Sequence, residues 1–258
     1  MRIFLITLLT LTISVIAFSQ NPVHDSTYTG VDKEYYDNGK LRIETPYIKG
    51  RKSGIKNEYS KDGKLSRTIP YVNDTMNGLV KSYMENGKVD GEFPYKNGLK
   101  DGVEKHYYET GILWSETPYV KGKKNGLGTG YYTTGKKQTE TPYLDDMITD
   151  TVRTYWENGK LSGKACYRLG KKQGIDKEYY ADGALEFEMP FVDGLENGVQ
   201  KCYDEQGRFW NEVPYTNGKK DGKAKWYYLD GKIHIIITYD QDKEVNKETY
   251  DENGLMFH

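Results

Sequence analysis

The chain has 258 residues, 37 basic against 38 acidic side chains, and a formal net charge of −1. Balanced charge with no basic stripe excludes the electrostatic footprint of a nucleic-acid binder. Aliphatic residues are sparse after Ser19, but 24 tyrosines and 28 glycines recur in register, which a disordered polar chain would not show.

The first element is a leader. Met1-Arg2 is basic, Ile3 to Phe18 is apolar, and Ala17-Phe18-Ser19 places small residues where a signal peptidase reads. This pattern predicts a signal peptide over residues 1–19, cleaved before Gln20, and a mature chain that is periplasmic, cell-surface or secreted. An uncleaved signal anchor is the alternative. Residues 20–29 read as a short linker.

From Gly30 a 24-residue period begins: Gly30, Gly54, Gly78, Gly102, Gly126, Asp150, Gly174, Gly198 and Gly222. A fixed period of this size denotes a repeat architecture. Residues 30–258 therefore form one repeat domain of nine full units and a terminal half-unit, Asn246 to Gly254, one residue short. With Gly30 as position 1, position 6 is always tyrosine: Tyr35, Tyr59, Tyr83, Tyr107, Tyr131, Tyr155, Tyr179, Tyr203 and Tyr227. Position 10 is always glycine: Gly39, Gly63, Gly87, Gly111, Gly135, Gly159, Gly183, Gly207 and Gly231.

Each unit reads as two strands, Val31–Tyr36 and Lys40–Thr45 in the first, rich in β-branched and aromatic residues and bounded by glycine turns. Helix is disfavoured by the density of glycine and proline. Asp37-Asn38-Gly39 predicts a three-residue turn with Gly39 in the left-handed region, setting Tyr35 opposite Leu41. The rejected two-residue turn would set Lys33 opposite Glu44. The chosen register gathers Val31, Tyr35 and Leu41 on one packing face. Proline at position 17 in seven units (Pro46, Pro70, Pro94 and their counterparts) predicts that the second strand ends or bulges there. The following tyrosine then packs over the neighbouring unit. The second connection, Lys49 to Gly54, reads as longer and basic. The fold expected is all-β: an elongated, twisted antiparallel meander of tandem β-hairpins extending roughly 85 Å before coiling.

Lysines at position 4 (Lys33, Lys81, Lys105, Lys177, Lys201, Lys225) and glutamates at position 15 (Glu44, Glu92, Glu116, Glu140, Glu188, Glu212) read as solvated ladders that keep the sheet soluble. Cys166 lies late in unit six and Cys202 early in unit eight, with both strands of unit seven between them, roughly 14 Å apart, too far for a disulfide, so two free thiols are expected. His24, His106, His234 and His258 are scattered. No HExxH, CxxC or calcium-loop spacing appears, so neither a metal, a cofactor nor catalysis is expected.

The tryptophans stand apart. Trp114 and Trp210 fall at position 13, Trp156 at position 7 and Trp226 at position 5. In this register they share the face opposite Tyr35, with Tyr36, Tyr108, Tyr132, Tyr180 and Tyr228 beside them. Two readings remain open: packing over glycine-rich strands, or an aromatic strip for a partner, since large aromatics favour interface centres.

Tyr35-Tyr36-Asp37-Asn38-Gly39-Lys40-Leu41 and Tyr119-Val120-Lys121-Gly122-Lys123-Lys124-Asn125-Gly126 resemble the bacterial variant of the MORN repeat. The resemblance implies successive hairpins in an elongated sheet. Proteins with this repeat are often labelled antitoxin components, and eukaryotic relatives are linked to membranes or scaffolding. Proline at position 17, where the variant commonly has glycine, and an export signal are departures. The expected function is a non-enzymatic exported scaffold that binds another protein. An antitoxin or immunity-type role, or binding to a glycan or membrane surface, are the alternatives.

Overall fold

The computed structural model describes residues 24–257. The expected leader and the start of the linker lie outside them. The described chain is one antiparallel sheet without helix, in which each hairpin pairs with the next in sequence order.

The first eight full units repeat one path: a six-residue leading strand (Gly30–Tyr35), an eight-residue return strand (Leu41–Ile48) and a two-residue short strand (Arg51–Lys52). The first turn is the one expected. Gly39 has φ 78°, its amide donates to Tyr36 O at 2.9 Å, and Tyr35 lies opposite Leu41. Yet Lys33 also lies opposite Glu44, because the register shifts between Glu34 and Tyr35. Arg42 is the extra residue of a one-residue bulge. Both registers weighed from sequence are therefore present, one on each side of the bulge.

Two expectations are corrected. The return strand does not stop at Pro46 but runs two residues past it, pairing Pro46 with Val31. The second connection is not a long loop. Lys49 (φ 50°) and Gly50 (φ 74°) form a two-residue turn, with Ile48 opposite Arg51 and Tyr47 opposite Lys52. Two left-handed residues match the twist of the flanking strands.

The missing proline amide is accommodated at the junction. Pro46 O accepts from Ser53 N at 3.0 Å, but where the Pro46 amide would donate, the next unit bulges away. Gly54, Ile55 and Lys56 pair with their own return strand, opposite Tyr71, Pro70 and Ile69. Contact with the preceding unit resumes only at Ile43–Glu58 and Glu44–Asn57. Gly54 has φ 116°, and a Cβ there would lie 2.9 Å from Pro46 Cγ. The same contact recurs at Gly78, Gly102, Gly126, Gly198 and Gly222, at 2.9–3.2 Å. At these six junctions the glycine is thus fixed twice, by backbone sign and by a proline ring; of the other two, Asp150 follows Pro142 with φ 57° and Gly174 follows Cys166 with nothing within 4 Å of its Cβ. Where Thr238 replaces the proline, no glycine follows; Thr238 pairs with Asn246 and the next strand, Lys243–Tyr250, is continuous, with Val245 alone bulged out. The residue missing from the terminal half-unit is missing from this bulge.

The packing face is the other correction. Val31, Tyr35 and Leu41 do share a face (the front), but Val31 and Tyr35 are 52% and 59% exposed. Burial concentrates on the back, at positions 3, 14, 16 and 18: Val80, Ala224, Ile69, Met189, Val213, Asn211 and Tyr47. Position-18 rings also take the preceding unit's lysine, as with Lys100 Nζ at 4.8 Å from the Tyr119 ring centre, a cation–π contact. The described part of the expected linker is a cap. Tyr28 O accepts from Gly50 N at 2.8 Å, as Lys52 O does from Asp74 N one unit later, and the Tyr28 ring stacks on His24 at 3.8 Å.

Candidate binding face

The tryptophan positions all lie on the back: position 13, the bulge residue, joins positions 5 and 7 there, and the bulge brings positions 14, 16 and 18 to the same face. Trp114 lies edge-on to His106 at 5.9 Å and beside Tyr108 at 6.3 Å. His234 stacks on Tyr228 at 4.3 Å, and Ser162 donates to Thr154 at 2.8 Å. Trp114, Trp156, Trp210 and Trp226 therefore lie on one face, opposite Tyr35. They are not one cluster, being spread from the fourth unit to the ninth. Trp114 and Trp210 are 49% and 55% exposed, Trp156 38%.

Position 7 has a structural role that sequence reading missed. Hairpins splay near the first turn, leaving the position-6 carbonyl without a strand partner. The preceding unit's position-7 aromatic reaches it: Tyr36 Oη donates to Tyr59 O (2.6 Å), Tyr108 to Tyr131 O (2.7 Å), Tyr132 to Tyr155 O (2.7 Å) and Tyr180 to Tyr203 O (2.9 Å). Trp156 does the same through its indole N–H, to Tyr179 O at 2.8 Å. Trp156 is thus a staple between units as well as a surface ring. Ser60, Met84 and Asp204 occupy position 7 where no such bond forms. The signal was readable as an aromatic with a polar tip recurring beside an invariant tyrosine.

On the front, the ladders are bonded networks rather than solvated rows. Tyr59, Tyr107, Tyr131, Tyr155 and Tyr227 each donate to the preceding unit's position-15 glutamate at 2.7–3.0 Å. Lys225 adds a bond to Glu212 at 2.7 Å, and Lys81 pairs with Glu92 at 3.1 Å. Bonds from Asn57 and then Tyr59 hold the Glu44 carboxyl below the usual range; bonds from Lys225 and Tyr227 do so for Glu212. Burial, and then Glu116, push the Tyr131 hydroxyl up to about 12. These tyrosines are joints of the scaffold.

Cys166 and Cys202 are both free. One is exposed on the front and the other half-buried on the back, beside Gln200 at 3.3 Å.

The back face is grooved along the first turns of units six to nine. A cavity of about 380 Å³ has Trp156, Thr154, Ser162 and Glu178 in its wall. It shares Trp156 and Glu186 with a second of about 470 Å³. That one shares Tyr180 and Glu205 with a third of about 420 Å³, which wraps the turn edge at Trp210 and Tyr228. Glu178 is exposed, yet partial desolvation and then the Asp176 and Glu186 carboxylates raise its carboxyl above the usual range. Aromatic faces beside carboxylate acceptors are groups that can hold a ligand.

No curated protein matches this chain. Among solved structures it is similar to the crystal structure of TcdB2-TccC3-Cdc42, at 13% identity and a TM-score of 0.19, covering 88% of this chain and 15% of that one. It is also similar to a porin-like protein from Bacteroides uniformis, at 10% identity and a TM-score of 0.21, covering 84% of this chain and 92% of that one. The chain thus spans about 15% of the first of these. The model of the MORN repeat variant matches six segments: residues 28–49, 76–97, 100–121, 151–168, 172–193 and 220–241. Each holds a complete return strand and ends at the two-residue turn that follows it, and the chain belongs to the MORN repeat variant family.

Proposed function

We propose that this protein is a non-enzymatic exported scaffold that holds another protein against its long sheet. MORN repeats are generally interaction modules for proteins or membranes, and the family is one of repeat scaffolds. The observation that carries the reading is the exposure of Trp114 and Trp210 on the same face. Large aromatics left uncovered along one side of a regular sheet are what an interface anchor requires. Export rests on the leader, Met1 to Ser19, and the partner is then met in the envelope or outside the cell. The test is affinity capture from an envelope fraction with the mature chain and with a Trp114→Ala/Trp210→Ala variant. A defined partner retained by the first and lost by the second, with unchanged circular dichroism, supports the reading. No retained partner, or equal retention, refutes it. Fractionation of cells expressing the full chain tests export, and a cytoplasmic, unprocessed product rejects it.

A further inference from the structure

We infer that the groove over units six to nine takes an extended peptide segment carrying basic side chains about three residues apart. This rests on the protein-binding reading above and names the chemistry of the partner.

The rings come first. Trp156 Nε1–H is bonded to Tyr179 O, Tyr180 Oη to Tyr203 O, and Tyr228 Oη to Tyr250 O at 2.8 Å. Their polar tips are engaged by the scaffold, so what Trp156 and Tyr180 offer a ligand is the π-face; Tyr228 already stacks on His234. A π-face attracts a cation or an apolar stem and gives nothing to a hydrogen-bond acceptor. The bonds also fix the rings, so little side-chain freedom is lost on binding.

Charge selects the cation. Six carboxylates line the three joined cavities, against Lys164, Lys172 and Arg208. Lys172 is already paired with Asp176, and Arg208 with Asp204 at 2.7 Å. Among the described residues Glu178, Glu186 and Glu205 have no basic partner within ion-pair reach. Glu186 borders the cavities on both sides of Trp156, and Glu205 those on both sides of Tyr180. Each ring is therefore flanked by an acceptor, the arrangement that holds a guanidinium or ammonium by its face and its N–H groups together.

Spacing sets the register. Successive units are two strands apart, about 10 Å, so Trp156 and Tyr180 are separated by about the rise of three extended residues. A strand-like segment with arginine or lysine at every third position places one cation at each. A small polycation would meet the same carboxylates without needing the ring spacing, and the experiment separates the two.

The probe is a synthetic peptide with arginine at every third position, titrated into the full chain by calorimetry, beside the same peptide with citrulline. The arginine peptide is expected to bind about tenfold or more tightly, with affinity falling as salt rises. The triple variant Glu178→Gln/Glu186→Gln/Glu205→Gln should lower it by about tenfold. Glu205→Gln alone, in an exposed turn, should lower it measurably without any folding defect. Ile55→Ala, on the opposite face and outside the groove, should leave it unchanged. Equal binding of the two peptides, wild-type affinity in the glutamine variants, or spermine displacing the peptide at equal concentration each overturns the inference. If these fail while affinity capture still depends on Trp114 and Trp210, the groove assignment falls and the scaffold reading stands. If the peptide binds and capture fails, the reverse holds.

Discussion

Gly102 is the sharpest place to test how the units are joined. Its φ is 123°, and a Cβ there would meet Pro94 Cγ at 2.9 Å and Cβ at 3.1 Å. Gly102→Ala therefore meets two penalties: backbone strain of about 1–3 kcal/mol and an overpacked contact of about 1–3 kcal/mol. Gly159→Ala is the control. Its φ is 86° and nothing lies within 4 Å of its Cβ, so only strain of about 1–2 kcal/mol applies. Urea unfolding followed by tryptophan fluorescence should place the Gly102→Ala midpoint clearly below that of Gly159→Ala. A double-mutant cycle isolates the proline. Pro94→Ala removes the ring carbons, so the double variant should be less destabilised than the sum of the singles by about 0.5–3 kcal/mol. Equal midpoints for the two glycine variants, or strict additivity in the cycle, would refute the proline–glycine junction as the reason for the period.

Three further outcomes are expected. Trp156→Phe should cost about 1 kcal/mol by leaving Tyr179 O unpaired, Trp156→Tyr should restore it, and Met84→Tyr should stabilise a junction that lacks the bond; urea midpoints check all three. Tyr131, held protonated by burial and Glu116, should titrate near about 12 in ultraviolet absorbance. Its folded value is raised, so its contribution is complete below the ordinary 10.0 and is lost as pH rises towards about 12; Tyr131→Phe should flatten the alkaline loss of stability, and an unaltered profile counts against it. Glu212 is depressed by Lys225 and Tyr227, so its contribution is complete above the usual carboxylate value of 4.5 and is lost as pH falls through the lower folded one. Glu212→Gln should reduce the acid dependence of the unfolding midpoint, and an unchanged slope would remove Glu212 from the network.

Features local to one strand or turn were legible in the sequence. Gly39 marked a left-handed turn residue, and parity placed Trp114, Trp156, Trp210 and Trp226 opposite Tyr35. What was not legible depends on two units at once. Pro46 reads alone as a strand terminator; only with Gly54 beside it does the next unit give way and let the strand continue. The bulge at Arg42 is invisible to alternation, yet it turns positions 14, 16 and 18 to the back and lets both Tyr35–Leu41 and Lys33–Glu44 pairs exist. Burial went to the back because the bulge brings positions 14, 16 and 18 to the face of Val80 and Ala224, whereas the position-2 aliphatics, such as Ile55 at 57% exposed, sit where the next unit bulges away. The groove was hidden for the same reason: its rings are spread over four units, each read as a copy of the others.

Pairing is unequal along the array. Within a hairpin six residue pairs join the strands, while successive long strands of neighbouring hairpins share only two. Mechanically, the chain is a row of stiff plates on compliant hinges. Bending and coiling under load or on engaging a ligand will concentrate at the proline–glycine joints, and most at the joints after Ser60, Met84 and Asp204, where no aromatic staple ties the turns. The pitch of the array, and with it the distance between rings on successive units, is then adjustable without breaking any hairpin.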